Sequence, residues 1–230
     1  MKKRIAFYII KLYNEGKTSE FFSYRSFMNM ELFIYGDSHA HFNFRNIPHH
    51  DFYRASITMH RIGRDNTIIN FDPSMHDSNS IVVLDYGEVD CRNHIKKQTE
   101  KGREEETVIE ELVHNYLQTI RNNVSRYKHI VIVAVVPPTE ILQYESVHGP
   151  ITHEYPFVGT DSERVRYTER MNALLEQKCS EYGYVFFDPF EHYKNENGCL
   201  KRELSDLNVH VGDTTLLIQL FEELLATLQS

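Results

Sequence analysis

Short apolar runs rich in β-branched residues alternate along the chain with longer stretches whose apolar positions recur every three or four residues. That rhythm predicts a layered α/β domain. Three runs read as strands cut off by turn residues: Glu31-Leu-Phe-Ile-Tyr35 before Gly36-Asp-Ser, Ser80-Ile-Val-Val-Leu-Asp85 before Tyr86-Gly87, and His129 to Val136 before Pro137-Pro138. They are nearly continuous in apolar character, which suits strands covered on both faces of a parallel sheet. Two weaker candidates, Tyr53 to His60 and Gly183 to Asp188, bring the expected sheet to five strands.

Three helices follow from the longer period. Ile109, Leu112, Val113, Tyr116, Leu117, Ile120 and Val124 form one apolar stripe, preceded by the polar run Lys96 to Glu106 as a solvated lead-in. Val165, Met171, Leu174, Leu175, Cys179 and Tyr182 form a second. Leu216, Leu217, Leu220, Phe221, Leu224, Leu225 and Leu228 form a third, opened by Asp213-Thr214 as a cap. The third stripe is too short for a coiled coil and reads as a helix docked on the sheet. The core pattern begins at Glu31, so residues 1–30 are expected to be a peripheral extension and residues 31–230 the domain.

Length and composition narrow the class. At 230 residues the chain fits one domain, and 41% hydrophobic residues argue against disorder. A net charge of −8 with no basic stripe makes nucleic acid a poor partner. No apolar run is long enough to span a bilayer, and the N-terminal run breaks at Lys11, so neither membrane insertion nor an export signal is expected. Cys91, Cys179 and Cys199 form no close pair, which fits a reducing, cytoplasmic compartment. Oligomeric state has no residue-level signal.

The chemistry-bearing residues gather where strands are expected to end. Ser38 follows the first strand directly, and the carboxyl ends of parallel strands are where ligand groups collect. A serine hydroxyl needs an imidazole in hydrogen-bond reach and a third group to orient that imidazole. His210 can supply the base, from a segment before the last helix, and Asp206 lies four residues ahead of it.

With those residues in place, the chain resembles the SGNH/GDSL hydrolase superfamily over about residues 31 to 229. The resemblance is carried by Gly36-Asp-Ser-His39, by Gly87-Glu-Val-Asp-Cys-Arg92-Asn-His94 with Thr58-Met-His-Arg-Ile-Gly-Arg64 between them, and by the late histidine. It is nearest a branch with GDSH followed by GEIDCR-x-H, associated with surface-glycan and polysaccharide biosynthesis. The resemblance implies a three-layer α/β/α sandwich with a mainly parallel five-stranded sheet in flavodoxin-like order. It implies a serine esterase or acyltransferase acting on an O-acyl ester such as an acetyl group, on a small molecule or a glycan, with no metal or organic cofactor.

In that family the oxyanion is held by the serine N–H, a second-block glycine N–H and a third-block asparagine amide. Ser38 supplies the first, and the second falls near Ala55-Ser56 or at Gly63. The third departs, because Asp90 follows Gly87 where the pattern has asparagine, and an ionised carboxylate would repel a developing oxyanion. Asp90 is therefore expected to face elsewhere. Arg92 has two readings, as a guanidinium donor at the hole or as a loop brace paired with Asp90 or Glu88. The other departure is the spacing from Asp206 to His210, four where the family has three, which leaves Asn208 or a backbone carbonyl as alternative orienters. Both departures favour a rival reading, a non-catalytic binding module of the same fold.

The segment Asp37-Ser-His39-Ala-His41 also resembles the D-x-H-x-H start of TatD-like metal-dependent hydrolases, in which Asp37, His39 and His41 would hold a divalent metal. That family builds an eight-stranded barrel, and about five strands are expected here. Otherwise His39 and His41 line the pocket or cap the first helix, His94 is expected with the oxyanion pocket, and His49, His50 and His60 are surface or pocket residues. Thr139 to Thr160 is read as a long loop, and its aromatic and histidine content suggests a lid.

Overall fold

Alternate residues of each central strand feed opposite cores, and this alone sets the layers. The computed structural model describes residues 31–228 except 78, 125, 126, 128 and 153–155; the expected N-terminal extension lies outside the described residues. The elements run β1 (Leu32–Gly36), α1 (Ser38–Phe44), β2 (His50–Tyr53), α2 (Met59–Asp65), β3 (Ile81–Asp85), α3 (Ile95–Thr99), α4 (Glu105–Val124), β4 (His129–Val133), α5 (Ile141–His148), α6 (Asp161–Tyr182), β5 (Val185–Phe187) and α7 (Thr215–Leu228). The sheet has five parallel strands in the order β2-β1-β3-β4-β5. The expected three-layer α/β/α sandwich is the observed one.

Phe33, Tyr35, Val82, Leu84, Ile130 and Ile132 point to the face covered by α2, α4 and α6. Ile34, Ile81, Val83, Val131 and Val133 point to the face covered by α1 and α7. Being wanted on both faces is why these strands read as unbroken apolar runs. The longest helices carry the stripes that cover the sheet: Leu112, Val113, Tyr116, Leu117 and Ile120 of α4 are buried, as are Leu217, Phe221 and Leu225 of α7. Asp213 accepts the Thr215 N–H at 2.9 Å, so the expected cap opens α7. The second helix starts earlier than its apolar stripe, at Asp161, because Thr160 and Glu163 form a reciprocal capping box.

Three expectations need correction. The weak strand placed at Tyr53 to His60 is instead β2 at His50–Tyr53; beyond it Ser56 adopts a left-handed backbone (φ 61°) and Thr58 caps α2. The run His129 to Val136 pairs as strand only to Val133. There β5 ends, and the Asn172 side chain takes over both the N–H and the carbonyl of Val135. The loop from Thr139 to Thr160 contains a helix, α5. Its two bases are tied together by the buried Arg164, which donates to the Thr139 and Gly159 carbonyls and pairs with Asp161. Among the described residues no helix is long and apolar enough to cross a membrane.

Candidate active site

Gly36 ends β1 in a place no side chain fits: a Cβ there would stand 2.3 Å from Ala40 Cβ and 2.4 Å from the Asp85 carbonyl oxygen. That close approach lets the chain turn from the strand into α1 beside the end of β3. Asp37 caps α1, its Oδ1 accepting the His39 N–H at 2.8 Å, and Ser38 becomes the first helical residue at the sheet's carboxyl edge. A first-turn N–H has no acceptor within its helix, so the main chain of Ser38 offers a free donor beside the hydroxyl.

His210 arrives from the other side of the sequence. Asp206 Oδ1 accepts the N–H groups of Asn208 at 2.8 Å and His210 at 3.1 Å, and the Asp206 N–H donates to the His210 carbonyl at 3.0 Å. Leu207 absorbs the extra residue by adopting a left-handed backbone (φ 65°). The loop closes with Gly212 against Ser205, where a Cβ would meet the Ser205 carbonyl oxygen at 2.5 Å. Within this turn Asp206 Oδ2 lies 2.9 Å from His210 Nδ1, and His210 Nε2 lies 3.0 Å from Ser38 Oγ. The four-residue spacing therefore leaves Asp206 as the group facing the ring. Burial opposes ionisation of Asp206, but the His210 ring and the N–H groups of Asn208 and His210 hold its carboxyl below the usual range. Phe42 stacks on the His210 ring at 4.0 Å and 11°, fixing its plane.

Behind this line lies a shell of buried charge. His39 is 1% exposed, with Nδ1 2.9 Å from Asp37 Oδ1, Nε2 3.0 Å from the Val209 carbonyl and Nε2 3.6 Å from Glu88. Burial works against its charge, yet the Glu88 and Asp37 carboxylates push its pKa up to about 9. Arg92 donates from Nε to both oxygens of Glu88, at 2.7 and 3.0 Å, and from Nη1 to the Pro156 carbonyl at 3.0 Å. These bonds match the brace reading, tying Glu88 to the loop after α5. Asp85, at the end of β3, accepts from the Asn43 amide at 2.8 Å; burial and the neighbouring Asp37 charge push its carboxyl up to about 7.

The remaining expected site residues divide. Asp90 is buried, and its carboxylate accepts the Met59 N–H at 2.6 Å and the His60 N–H at 3.2 Å, at the start of α2. Burial raises its pKa to about 7 against those two donors. Gly87 (φ +121°) makes the turn from β3 into the wide helical turn Asp90–His94, packed so tightly that a Cβ would stand 2.8 Å from Val135. Gly63 is a correction. It lies inside α2 facing α4, where a Cβ would stand 2.7 Å from Asn115 Cβ, so it serves helix packing and not the oxyanion. Ser56 remains in the turn after β2, which meets the sheet's carboxyl edge because the Arg54 N–H donates to the Gly36 carbonyl at 2.9 Å. His94 is a correction too: its ring stacks on His60 at 4.2 Å, and burial, aided by His60 and Arg103, lowers its pKa to about 4.

The metal reading fails on geometry. His39 spends its ring nitrogens on Asp37 and Val209, while His41 turns to Asp51 at 2.7 Å, so the three side chains do not converge. Among the described residues no group of three His, Cys, Asp or Glu side chains could hold a metal ion. Sequence reasoning missed Phe42 and the Val209 carbonyl, for which no local signal exists. It also missed the contribution of Glu88 to the charge of His39, although an acid at the end of a buried strand, four residues before an arginine, was a usable hint.

No known family model matches the sequence, and no curated protein does. Solved structures match the shape. A candidate platelet activating factor from Streptococcus pneumonia superposes with a TM-score of 0.59 at 14% identity, over 97% of this chain and 97% of its own. A GDSL-like lipase from Bacteroides thetaiotaomicron gives 0.56 at 12% identity over 87% of each chain. A mutant of an acetyl-xylooligosaccharide esterase from Geobacillus Stearmophilus gives 0.50 at 14% identity, over 85% of this chain and 92% of its own. Likeness at such identities speaks for architecture: the chain carries the α/β fold seen in GDSL-like lipases and acylhydrolases.

Proposed function

We propose that the protein is a serine-dependent ester hydrolase or acyltransferase of the SGNH/GDSL type. The observation that carries this reading is the line Ser38 Oγ, His210 Nε2, His210 Nδ1, Asp206 Oδ2, with its two hydrogen bonds of 3.0 and 2.9 Å. His210 takes the Ser38 proton as the oxygen attacks the ester carbonyl, then returns it to the departing alkoxide; Asp206 fixes the ring and balances the imidazolium. Water or an acceptor hydroxyl then releases the acyl group by the reverse proton path. The oxyanion is met by the Ser38 N–H and a main-chain N–H of the turn around Ser56. Asp90 supplies no third donor, since its oxygens are engaged by Met59 and His60.

The substrate class we favour is an O-acetyl or other short O-acyl ester on a sugar. The fold neighbour named as an acetyl-xylooligosaccharide esterase supports it, as does Tyr53, 42% exposed beside Gly36 at the sheet edge, where a flat ring can stack on a sugar. One feature favours the rival reading of a binding module, the missing third donor, which on its own costs about 3 kcal/mol of transition-state stabilisation. A fluorophosphonate probe decides between them. The enzyme reading expects one covalent adduct per chain at Ser38 and none on Ser38→Ala; folded protein that stays unmodified sinks it in favour of the binding module.

A further inference from the structure

Ser38 and His210 stand 172 residues apart in sequence, on separate segments, and a working hydrogen bond between them needs those segments locked in register. The neighbour of each residue makes that lock. His39 follows Ser38, Val209 precedes His210, and His39 Nε2 meets the Val209 carbonyl at 3.0 Å. The other ring nitrogen meets Asp37 Oδ1 at 2.9 Å, and that oxygen already accepts the His39 N–H. Both nitrogens thus face acceptors, and only a ring protonated at both positions satisfies them.

The surroundings accommodate the charge. Asp37 stands on the same segment, Glu88 approaches to 3.6 Å from the turn after β3 with Arg92 braced behind it, Asp85 lies at the end of β3, and the His210 ring is 4.7 Å away between centroids. The elevated pKa of His39 agrees with the geometry.

We propose that His39 is a positioning residue whose doubly donating ring pins the Val209 carbonyl and thereby holds His210 Nε2 on Ser38 Oγ. The proposal rests on Ser38 and His210 acting as nucleophile and base, and its test keeps the two apart. In the full chain carrying 15N-histidine, both ring nitrogens of His39 carry protons at pH 7, and a proton signal bridges His210 Nδ1 and Asp206. A single ring N–H on His39 overturns the proposal, and this measurement needs no variant.

His39→Leu removes both bonds at similar volume. In folded His39→Leu the His210–Asp206 proton signal broadens or vanishes, fluorophosphonate labelling of Ser38 slows by about 100-fold, and kcat falls while KM stays within about threefold. His39→Gln, which can still donate to Val209, recovers about tenfold of that loss. Labelling of folded His39→Leu within twofold of wild type, or an unchanged His210 signal, overturns the proposal. Should His39→Leu not fold, the same readouts on His39→Gln apply, with a loss smaller than tenfold counting against it. If wild type itself is never labelled but its His210 signal still depends on His39, the esterase reading falls and the positioning role stands.

Discussion

The sheet face under α4 and the rim at the strands' carboxyl ends differ in what they bury. Under α4, Leu112, Val113, Leu117 and Ile120 share one core with Val82, Leu84 and Ile132, and the buried Thr119 donates to the Asn115 carbonyl of its own helix and faces the Ile62 carbonyl of α2. At the rim the buried side chains are Asp37, His39, Asp85, Glu88, Asp90, Arg92 and His210. The first face gains from apolar area removed from water; the second gives up solvation and recovers it only through oriented partners. A fold keeps such a rim where orientation matters more than stability, as it does for chemistry that relies on fixed charges.

That contrast can be broken in graded steps. Ser38→Ala is expected to lower kcat for ester hydrolysis by about 10⁶-fold, with a stability change under about 1 kcal/mol in denaturant unfolding. A variant retaining a tenth of the activity would remove Ser38 from the chemistry. Asp206→Asn keeps the shape but mis-sets the ring, and a loss of about 10⁴-fold is expected in steady-state kinetics.

On the apolar face the signs reverse. Leu117→Ala should cost about 2–5 kcal/mol in chemical unfolding, while labelling per folded molecule stays within twofold of wild type. A stable but unreactive Leu117→Ala would show that the two regions are not separable.

Two histidines sharpen the comparison at the smallest scale, each read as the difference in melting temperature between wild type and a glutamine variant. His39 titrates about 9 in the fold against an ordinary 6.5, so its stabilisation is complete below 6.5 and lost as pH rises through about 9. The advantage of wild type over His39→Gln should therefore shrink between those values, given the Asp37, Asp85, Glu88, Arg92 and His210 groups around the ring. His94 has the opposite sign: at about 4 against 6.5, the unfolded chain binds the proton first. Wild type should lose ground to His94→Gln as pH falls from about 6.5 to 4. A pH-independent difference in either pair would show that the ring does not titrate as its surroundings imply.

Much of the sheet is legible because burial on both faces forces an apolar residue at nearly every position of β1, β3 and β4. The edge strand β2 is not: His50-Asp-Phe-Tyr53 has one covered neighbour, and its polar side chains carry no strand signal. Ser38 could be singled out because it directly follows a buried strand, and His210 because it stands with an acid four residues ahead in the segment before the last helix. The role of Gly63 could not, since a glycine needed for contact with Asn115 spells the same as one needed to bare an N–H. Nor could the choice of Arg92, whose two readings differ only in where a guanidinium points.

The sequence by itself therefore determined the layering, the buried central strands and the pool of reactive groups, because hydrophobic period and turn chemistry act over a few residues. Only the tertiary structure decided which of those groups touch. Whether Asp206 reaches His210 depends on one left-handed residue, and whether His39 binds metal or the Val209 carbonyl depends on a segment 170 residues away. Contacts of that kind follow from chain closure, which no local pattern encodes.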